Sequence, residues 1–545
     1  MSLLSIEGLT VALPKGADRA HALEDVSLHL DANEILCVVG ESGSGKSLTA
    51  GAVMGLLPEG VRATAGRILF EGRDLLQLPP AEMRRLRGLR IGMVFQEPMT
   101  ALNPLRSIGS QIAEMFRIHT RLSRTEIDQR VLALLEEVRI PDPASAARAY
   151  PHELSGGQRQ RAMIAMALAL EPKLLICDEP TTALDVTTQA QILHLIRDMQ
   201  RRTGTAVLFI THDFGVVADI ADRVAVMRQG LLVEQGPADA VLNRPQHPYT
   251  RALVAAVPPL LPPPAAARAE PAAPVLEVRD LSKTYRKGGL LKRSRRVTHA
   301  VKEVSFSLPR GSTLGIVGES GSGKSTLARC IVRLLDPEHG EIRVDGQDRM
   351  ALSREALRRD ARRVQMVFQD PFASLNPRRR VGELVAQGPI IHGTPKAEAY
   401  ARARELFGLV GLDPAALDRF PHEFSGGQRQ RIGLARALAM RPEVLVADEP
   451  VSALDVSVQA QVLQLLARLR EQLGLSMLFI THDLRVAAQL CDRIAVMRQG
   501  EVVEEGPTAE VFANPRHDYT RALMQAVPGQ GWTPPIAFGS EAPPG

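Results

Sequence analysis

No uninterrupted apolar stretch in this 545-residue sequence reaches the length needed to cross a bilayer. The opening residues, MSLLSIEGLT, lack the basic flank and apolar core of a secretory signal. A cytoplasmic chain is therefore expected, with any membrane role exerted through partners. Cysteine is scarce: Cys37, Cys177, Cys330 and Cys491 are scattered, with no CxxC pair. Neither a disulfide framework nor an iron-sulfur cluster is expected, and apolar surroundings mark the cysteines as small buried hydrophobes. No dense basic tract dominates either. The balance of 66 basic against 61 acidic residues leaves a net charge of +5, too little to argue for nucleic acid. With 45% hydrophobic and 23% charged residues, the composition is that of a soluble globular protein too long for one core.

What is present is a duplication. The octapeptide GESGSGKS at 40–47 returns unchanged at 318–325, each copy after an apolar run (35–39; 313–317) and before a helix-forming segment. Strand, glycine-rich loop and helix form the setting of a phosphate cradle: the loop's N–H groups point inward and the helix adds its positive end. Gly40, Glu41, Ser42, Gly43, Ser44 and Gly45 line the first cradle, and Gly318, Glu319, Ser320, Gly321, Ser322 and Gly323 the second. Lys46 and Lys324 are expected to reach the β- and γ-phosphates, Ser47 and Ser325 to offer a hydroxyl to Mg²⁺, and Leu48 and Thr326 to complete the nucleotide-binding loop at the start of the helix. The separation of matching residues falls from 278 at Lys46 and Lys324 to 270 at Asp178 and Asp448, then holds to Tyr249 and Tyr519. A period this long is a duplicated domain rather than a solenoid. The division expected is a first domain at 1–257, a semi-rigid Pro/Ala spacer at 258–274, a second domain at 275–528 and a disordered tail at 529–545.

Within each half, apolar runs ending in charge read as buried parallel strands: LLIC before Asp178, VLFI before Thr211, VLVA before Asp448 and MLFI before Thr481. They alternate with helical patterns such as 188–202 and 458–473, giving an α/β core with its ligand at the carboxyl ends of the strands. LLICDEP and VLVADEP place two carboxylates where a buried strand emerges. Asp178 and Asp448 are assigned to Mg²⁺, and Glu179 and Glu449 to taking a proton from the attacking water. His212 and His482, in THD motifs after the next strand, could orient base, water and γ-phosphate. Gln96 and Gln369 follow MVF runs and carry amides able to touch metal and water. LSGGQRQR at 154–161 and FSGGQRQR at 424–431 open a helix with a Ser-Gly-Gly turn, a second anion site per half. Two such sites but one set of catalytic groups per half implies that the serine loop of one half covers the γ-phosphate held by the other.

These motifs, in order and in both halves, resemble the ATP-binding cassette family: Walker A, glutamine loop, signature, Walker B, ALD loop (183–185; 453–455) and histidine switch. The resemblance covers nearly the whole chain. It implies two tandem nucleotide-binding domains of the P-loop NTPase α/β class, each with a RecA-like core, a helical signature subdomain and an antiparallel β subdomain. It further implies two head-to-tail composite sites supplied by one monomer. The first would combine Lys46, Ser47, Gln96, Asp178, Glu179 and His212 with Ser425, Gly426, Gly427 and Gln428. The second would combine Lys324, Ser325, Gln369, Asp448, Glu449 and His482 with Ser155, Gly156, Gly157 and Gln158. The cofactors implied are ATP and Mg²⁺, with Ser47, Gln96 and Asp178, and Ser325, Gln369 and Asp448, around the metal.

YPHELSGGQRQR, QHPYTRALVAAVP and RHDYTRALMQAVP look like the peptide and nickel importer branch. The fused layout, with the basic insertion RKGGLLKRSRR at 286–296, is similar to the Yej-type and glutathione-type peptide importers. Read without the family, that insertion is a solvated basic loop, and the HPYT stretches are packing elements of a small appendage. The resemblance implies an ATPase at the cytoplasmic face of the membrane, working with two permease subunits and a substrate-binding protein, without nucleic acid. The rival readings are a soluble twin cassette bound to ribosomes or DNA, an exporter ATPase, and an importer for a nickel chelate. One departure distinguishes the halves: Tyr285 fits the position of the adenine-stacking aromatic, whereas the matching segment offers Leu13, which has no π face.

Overall fold

The computed structural model describes residues 2–181, 184–263, 273–287, 296–370, 374–452 and 454–540. The chain separates into two compact units, Met1–Val257 with Ala526–Gly545, and Pro258–Gln525. Two calls from the sequence, the alanines of the ALD loops and most of the basic insertion, lie outside the described residues.

In the first unit the strands Ile35–Val39, Leu174–Asp178 and Ala206–Ile210 are buried at every position. Strands with no wet face must be covered on both sides, which is the reason they sit inside a parallel sheet. The sheet runs, edge to edge, Leu231–Pro237, Arg223–Arg228, Ile35–Val39, Ala206–Ile210, Leu174–Asp178, Ile91–Val94. Its neighbours are parallel except the first pair, an antiparallel hairpin. Parallel strands bring the three motif loops to one end of the sheet: the phosphate loop after Val39, the carboxylates after Cys177 and His212 after Ile210. A second, antiparallel sheet orders His21–Asp31, Ser2–Ala12, Arg62–Phe70 and Arg73–Asp74. His21–Asp31 largely alternates buried and exposed residues, and its buried face joins one core with Leu36, Val38, Leu174 and Ile176. A helical subdomain follows in Ile108–His119, Arg124–Glu137, Pro143–Arg148 and Gly156–Leu168. Ser123 and Glu126 start the second of these with a reciprocal capping box.

The second unit repeats the plan. Its six-stranded sheet orders Val364–Val367, Val444–Asp448, Ser476–Thr481, Thr313–Val317, Arg493–Arg498 and Glu501–Pro507, and a four-stranded sheet lies beside it. The expected helices 188–202 and 458–473 are Val186–Thr203 and Val456–Leu473, both longer at the start; Asp185 caps the first by accepting the N–H of Thr188. All four cysteines are free and buried. Among the described residues no helix is long and apolar enough to cross a membrane.

Two segments differ from expectation. The tail, expected to be disordered from 529 onward, is bonded to the first unit through 539: the Gly529 N–H donates to Asp219, the Trp532 indole N–H to Asn243 and the Gly539 N–H to the Ala255 carbonyl. Within the second unit, Arg485 donates to the carbonyl of Pro258 and Gln489 to those of Pro259 and Leu261, so the start of the expected spacer is held as well. These bonds use main-chain groups, which no side-chain pattern in a Pro- and Gly-rich stretch reveals.

Candidate functional site

Gly40 and Gly318 open the two loops at φ of 148° and 149°. A Cβ on either would lie 2.1 or 2.2 Å from the carbonyl oxygen of Met227 or Met497, so only glycine lets the loop lie against the neighbouring strand. Gly45 and Gly323 are the helix N-caps, with left-handed backbone. Lys46 begins helix Lys46–Met54 and is 6% exposed; Lys324 begins Lys324–Ile331 and is 4% exposed. A buried ammonium must be solvated by the protein. Lys46 Nζ donates to the carbonyls of Gly40 (2.7 Å) and Glu41 (2.9 Å), and Lys324 Nζ to those of Gly318 and Glu319 (both 2.8 Å). Ser44 and Ser322 are buried under the loop, Ser42, Gly43, Ser320 and Gly321 are exposed at its rim, and Leu48 and Thr326 are half-buried on the helix.

The Ser47 hydroxyl donates to Asp178 Oδ1 (2.9 Å) and that of Ser325 to Asp448 Oδ1 (3.0 Å). Burial pushes both aspartate carboxyls up, against the hydroxyl bond that lowers them. A hydroxyl and a buried carboxylate, both hard oxygen donors, fit a small divalent cation. Among the described residues no cluster of three or more His, Cys, Asp or Glu could cage a metal. Mg²⁺ is commonly held by one or two protein oxygens together with substrate phosphates and water.

Glu179 and Glu449 have left-handed backbones, φ 46° and 45°. Each N–H is tied to the adjacent strand, at Ile210 or Ile480. This strained turn, costing about 1–3 kcal/mol, re-aims the side chain after the strand. Glu179 Oε2 accepts from the Gln96 amide (3.0 Å) and Oε1 lies 3.4 Å from His212 Nδ1. Glu449 Oε2 accepts from Gln369 (2.9 Å) and lies 3.1 Å from His482 Nδ1. Three residues remote in sequence thus meet. Directly after each histidine, Asp213 and Asp483 cap the next helix, accepting the N–H groups of 215 and 216, and of 485 and 486. The sequence reading missed both that cap and the backbone strain at the glutamates.

Ser155 and Ser425 are N-caps of Gly156–Leu168 and Gly426–Leu438. Each serine Oγ accepts the N–H of Gln158 or Gln428, whose amide oxygen accepts the serine N–H in return. The two glutamines, expected to face nucleotide, therefore also close their own helix. Gly157 and Gly427 are set by packing: an added Cβ would sit 3.2 Å from Thr188 Cγ2 or 2.2 Å from Val458 Cγ1. Leu13 packs against the first unit's core, whereas Tyr285 is 39% exposed and free to stack.

The geometry of both units is that of an ATP-hydrolysing cassette. The ABC transporter model matches residues 23–182 and 301–452, and the model for the oligopeptide/dipeptide transporter C-terminal region matches 233–285 and 503–533. The chain is 49% identical over 530 residues to the peptidoglycan transport ATP-binding protein YejF of Agrobacterium fabrum, covering 96% of each. It is 48% identical over 557 residues to the glutathione import ATP-binding protein GsiA of Salmonella choleraesuis, covering 96% of this chain and 89% of the relative. The chain belongs to the ABC transporter family. It is a fused double ATP-binding cassette of the peptide-import type, an ATPase that powers an importer, which sets aside the ribosomal, DNA-bound and exporter readings.

Burial raises the Glu449 carboxyl, but the His482 hydrogen bond and charge outweigh it and hold it below its ordinary value of 4.5. Burial lowers the His482 imidazole, but the same contact with Glu449 holds it above its ordinary 6.5. The pair is fully formed between those ordinary values, weakening as pH falls through the lowered glutamate pKa or rises through the raised histidine pKa. In a Glu179→Gln background, His482→Ala should therefore move the acid limb of the ATPase pH profile to higher pH; an unmoved limb would refute the coupling. Gly427→Ala should destabilise its unit by about 1–3 kcal/mol in denaturant unfolding, and more than Gly157→Ala does.

Proposed function

We propose that each cassette binds ATP with its own phosphate loop and hydrolyses it when the signature serine of the other lobe covers the γ-phosphate. The observation that carries this reading is the double occurrence of one constellation: buried lysine, serine–aspartate pair, and a glutamate gripped by glutamine and histidine. Lys46 and Lys324 exchange their carbonyl partners for phosphate oxygens. Ser47 with Asp178, and Ser325 with Asp448, would hold Mg²⁺, with Gln96 and Gln369 as further oxygen donors; when bound, it would neutralise charge on the phosphates. Glu179 and Glu449 accept the proton of the attacking water, while His212 and His482 keep carboxylate and water aligned. ATP favours the closed pair of lobes because the serine-loop contacts exist only there. Tyr285 stacks on adenine in the second site.

The protein works at the cytoplasmic face of the membrane with two permease subunits and a substrate-binding protein, and Gln96 and Gln369 relay closure to the permeases. The cargo is a small peptide or peptide-like molecule, a reading supported by the functions of the two relatives, glutathione import and peptidoglycan transport. Reconstitution with the membrane subunits tests it: ATPase activity should rise with binding protein loaded with a short peptide. Stimulation by a nickel chelate alone would overturn the peptide assignment.

The double variant Glu179→Gln/Glu449→Gln should lose at least about 10²-fold in turnover with ATP binding retained. Undiminished hydrolysis would reject the base assignment. With each site studied after disabling the other, the first should bind ATP more weakly by about 1 kcal/mol of lost stacking, and Leu13→Tyr should recover it. Equal affinities before substitution would refute this.

A further inference from the structure

The HPYT and HDYT stretches repeat in register, yet hydrolysis as described above gives them no role. Each begins the last helix of its lobe's C-terminal appendage, Pro248–Ala255 or Asp518–Gln525. The turn before the helix is fixed. Glu234 accepts the N–H groups of Gln246 and His247, and His247 Nδ1 accepts the N–H of Tyr249 (3.2 Å). Glu504, His517 and Tyr519 repeat these bonds.

So placed, Tyr249 (2% exposed) and Tyr519 (7% exposed) reach the phosphate loops. Their rings lie under the guanidinium groups of Arg228 and Arg498, each 5.0 Å from the centroid. The Glu41 N–H donates to Tyr249 Oη (3.2 Å), and the Tyr249 hydroxyl donates to Glu41 Oε2 (3.2 Å). The Glu319 N–H donates to Tyr519 Oη (3.1 Å). Glu41 N–H and Gly40 C=O belong to one planar peptide group and point in opposite directions. The carbonyl side of that plane accepts Lys46 Nζ, and the amide side donates to Tyr249. The plane between Gly318 and Glu319 is gripped in the same way by Lys324 and Tyr519.

We propose that Tyr249 and Tyr519 are positioning residues for ATP binding: each hydroxyl sets the first peptide plane of its phosphate loop, and through that plane the parking place of the loop lysine. Appendage and phosphate loop are thereby one rigid piece in each lobe. Burial, with the Glu41 carboxylate adding to it, raises the Tyr249 phenol, so the hydroxyl keeps its proton at any working pH.

The full-length chain tests this. Tyr249→Phe in a Lys324→Ala background reports on the first site, and Tyr519→Phe in a Lys46→Ala background on the second. Phenylalanine keeps the ring and the cation–π contact and loses only the hydroxyl's bonds, so the thermal midpoint should fall by no more than about 2–8 °C from the background. The dissociation constant for ATP, read with a fluorescent analogue, should rise roughly two- to tenfold, the worth of one hydrogen bond. In chains without the lysine changes, Tyr249→Phe/Tyr519→Phe should raise KM by that factor and leave kcat within about twofold. Unchanged affinity, or a fall in midpoint and kcat at unchanged KM, would reduce the tyrosines to packing and overturn the proposal. Lys46→Ala/Lys324→Ala separates this failure from failure of the site itself: ATP binding that survives the double lysine variant would refute the assignment of the phosphate loops.

Discussion

Lys46 and Lys324 are charges removed almost wholly from water, and much else in each unit follows from that. An ammonium in such a place survives only if fixed oxygens replace its hydration. Here they are the carbonyls of its own loop. To offer them, the loop must curl against the strand beside it, which excludes a Cβ at Gly40 and Gly318. The same curl leaves N–H groups and a helix end facing the space a phosphate fills. Carbonyl solvation without nucleotide and anion binding with it are thus two uses of one backbone shape.

The glutamates show a complementary economy. Glu179 and Glu449 sit in strained backbone beside a buried aspartate. Glutamine and histidine partners leave each carboxylate oriented. Those partners come from separate strand ends, so the assembly depends on the parallel sheet that places them side by side.

Much of the chemistry was legible in the sequence because it is encoded by short spacings. Glycines followed by Lys-Ser, a buried run ending in Asp-Glu, and a run ending in Thr-His-Asp each carry their own local geometry. Their repetition removed most ambiguity. Strands buried on both faces were readable as unbroken apolar runs, and helix limits erred by a residue or two, as at Asp185, whose cap starts the helix earlier. The HPYT stretches were visible as a repeat, but their role was not, since Tyr249 and the Glu41 it holds are 208 residues apart.

By itself, then, the sequence determined the duplication and the class of ligand and proposed the reacting groups, since these rest on residue type at fixed short spacing. Tertiary structure alone decided how those groups are oriented: the left-handed turn at each glutamate, the tyrosine gripping the first peptide plane of each loop, and the docking of 529–539. Such features arise from main-chain hydrogen bonds between distant segments, and backbone groups are the same in every residue.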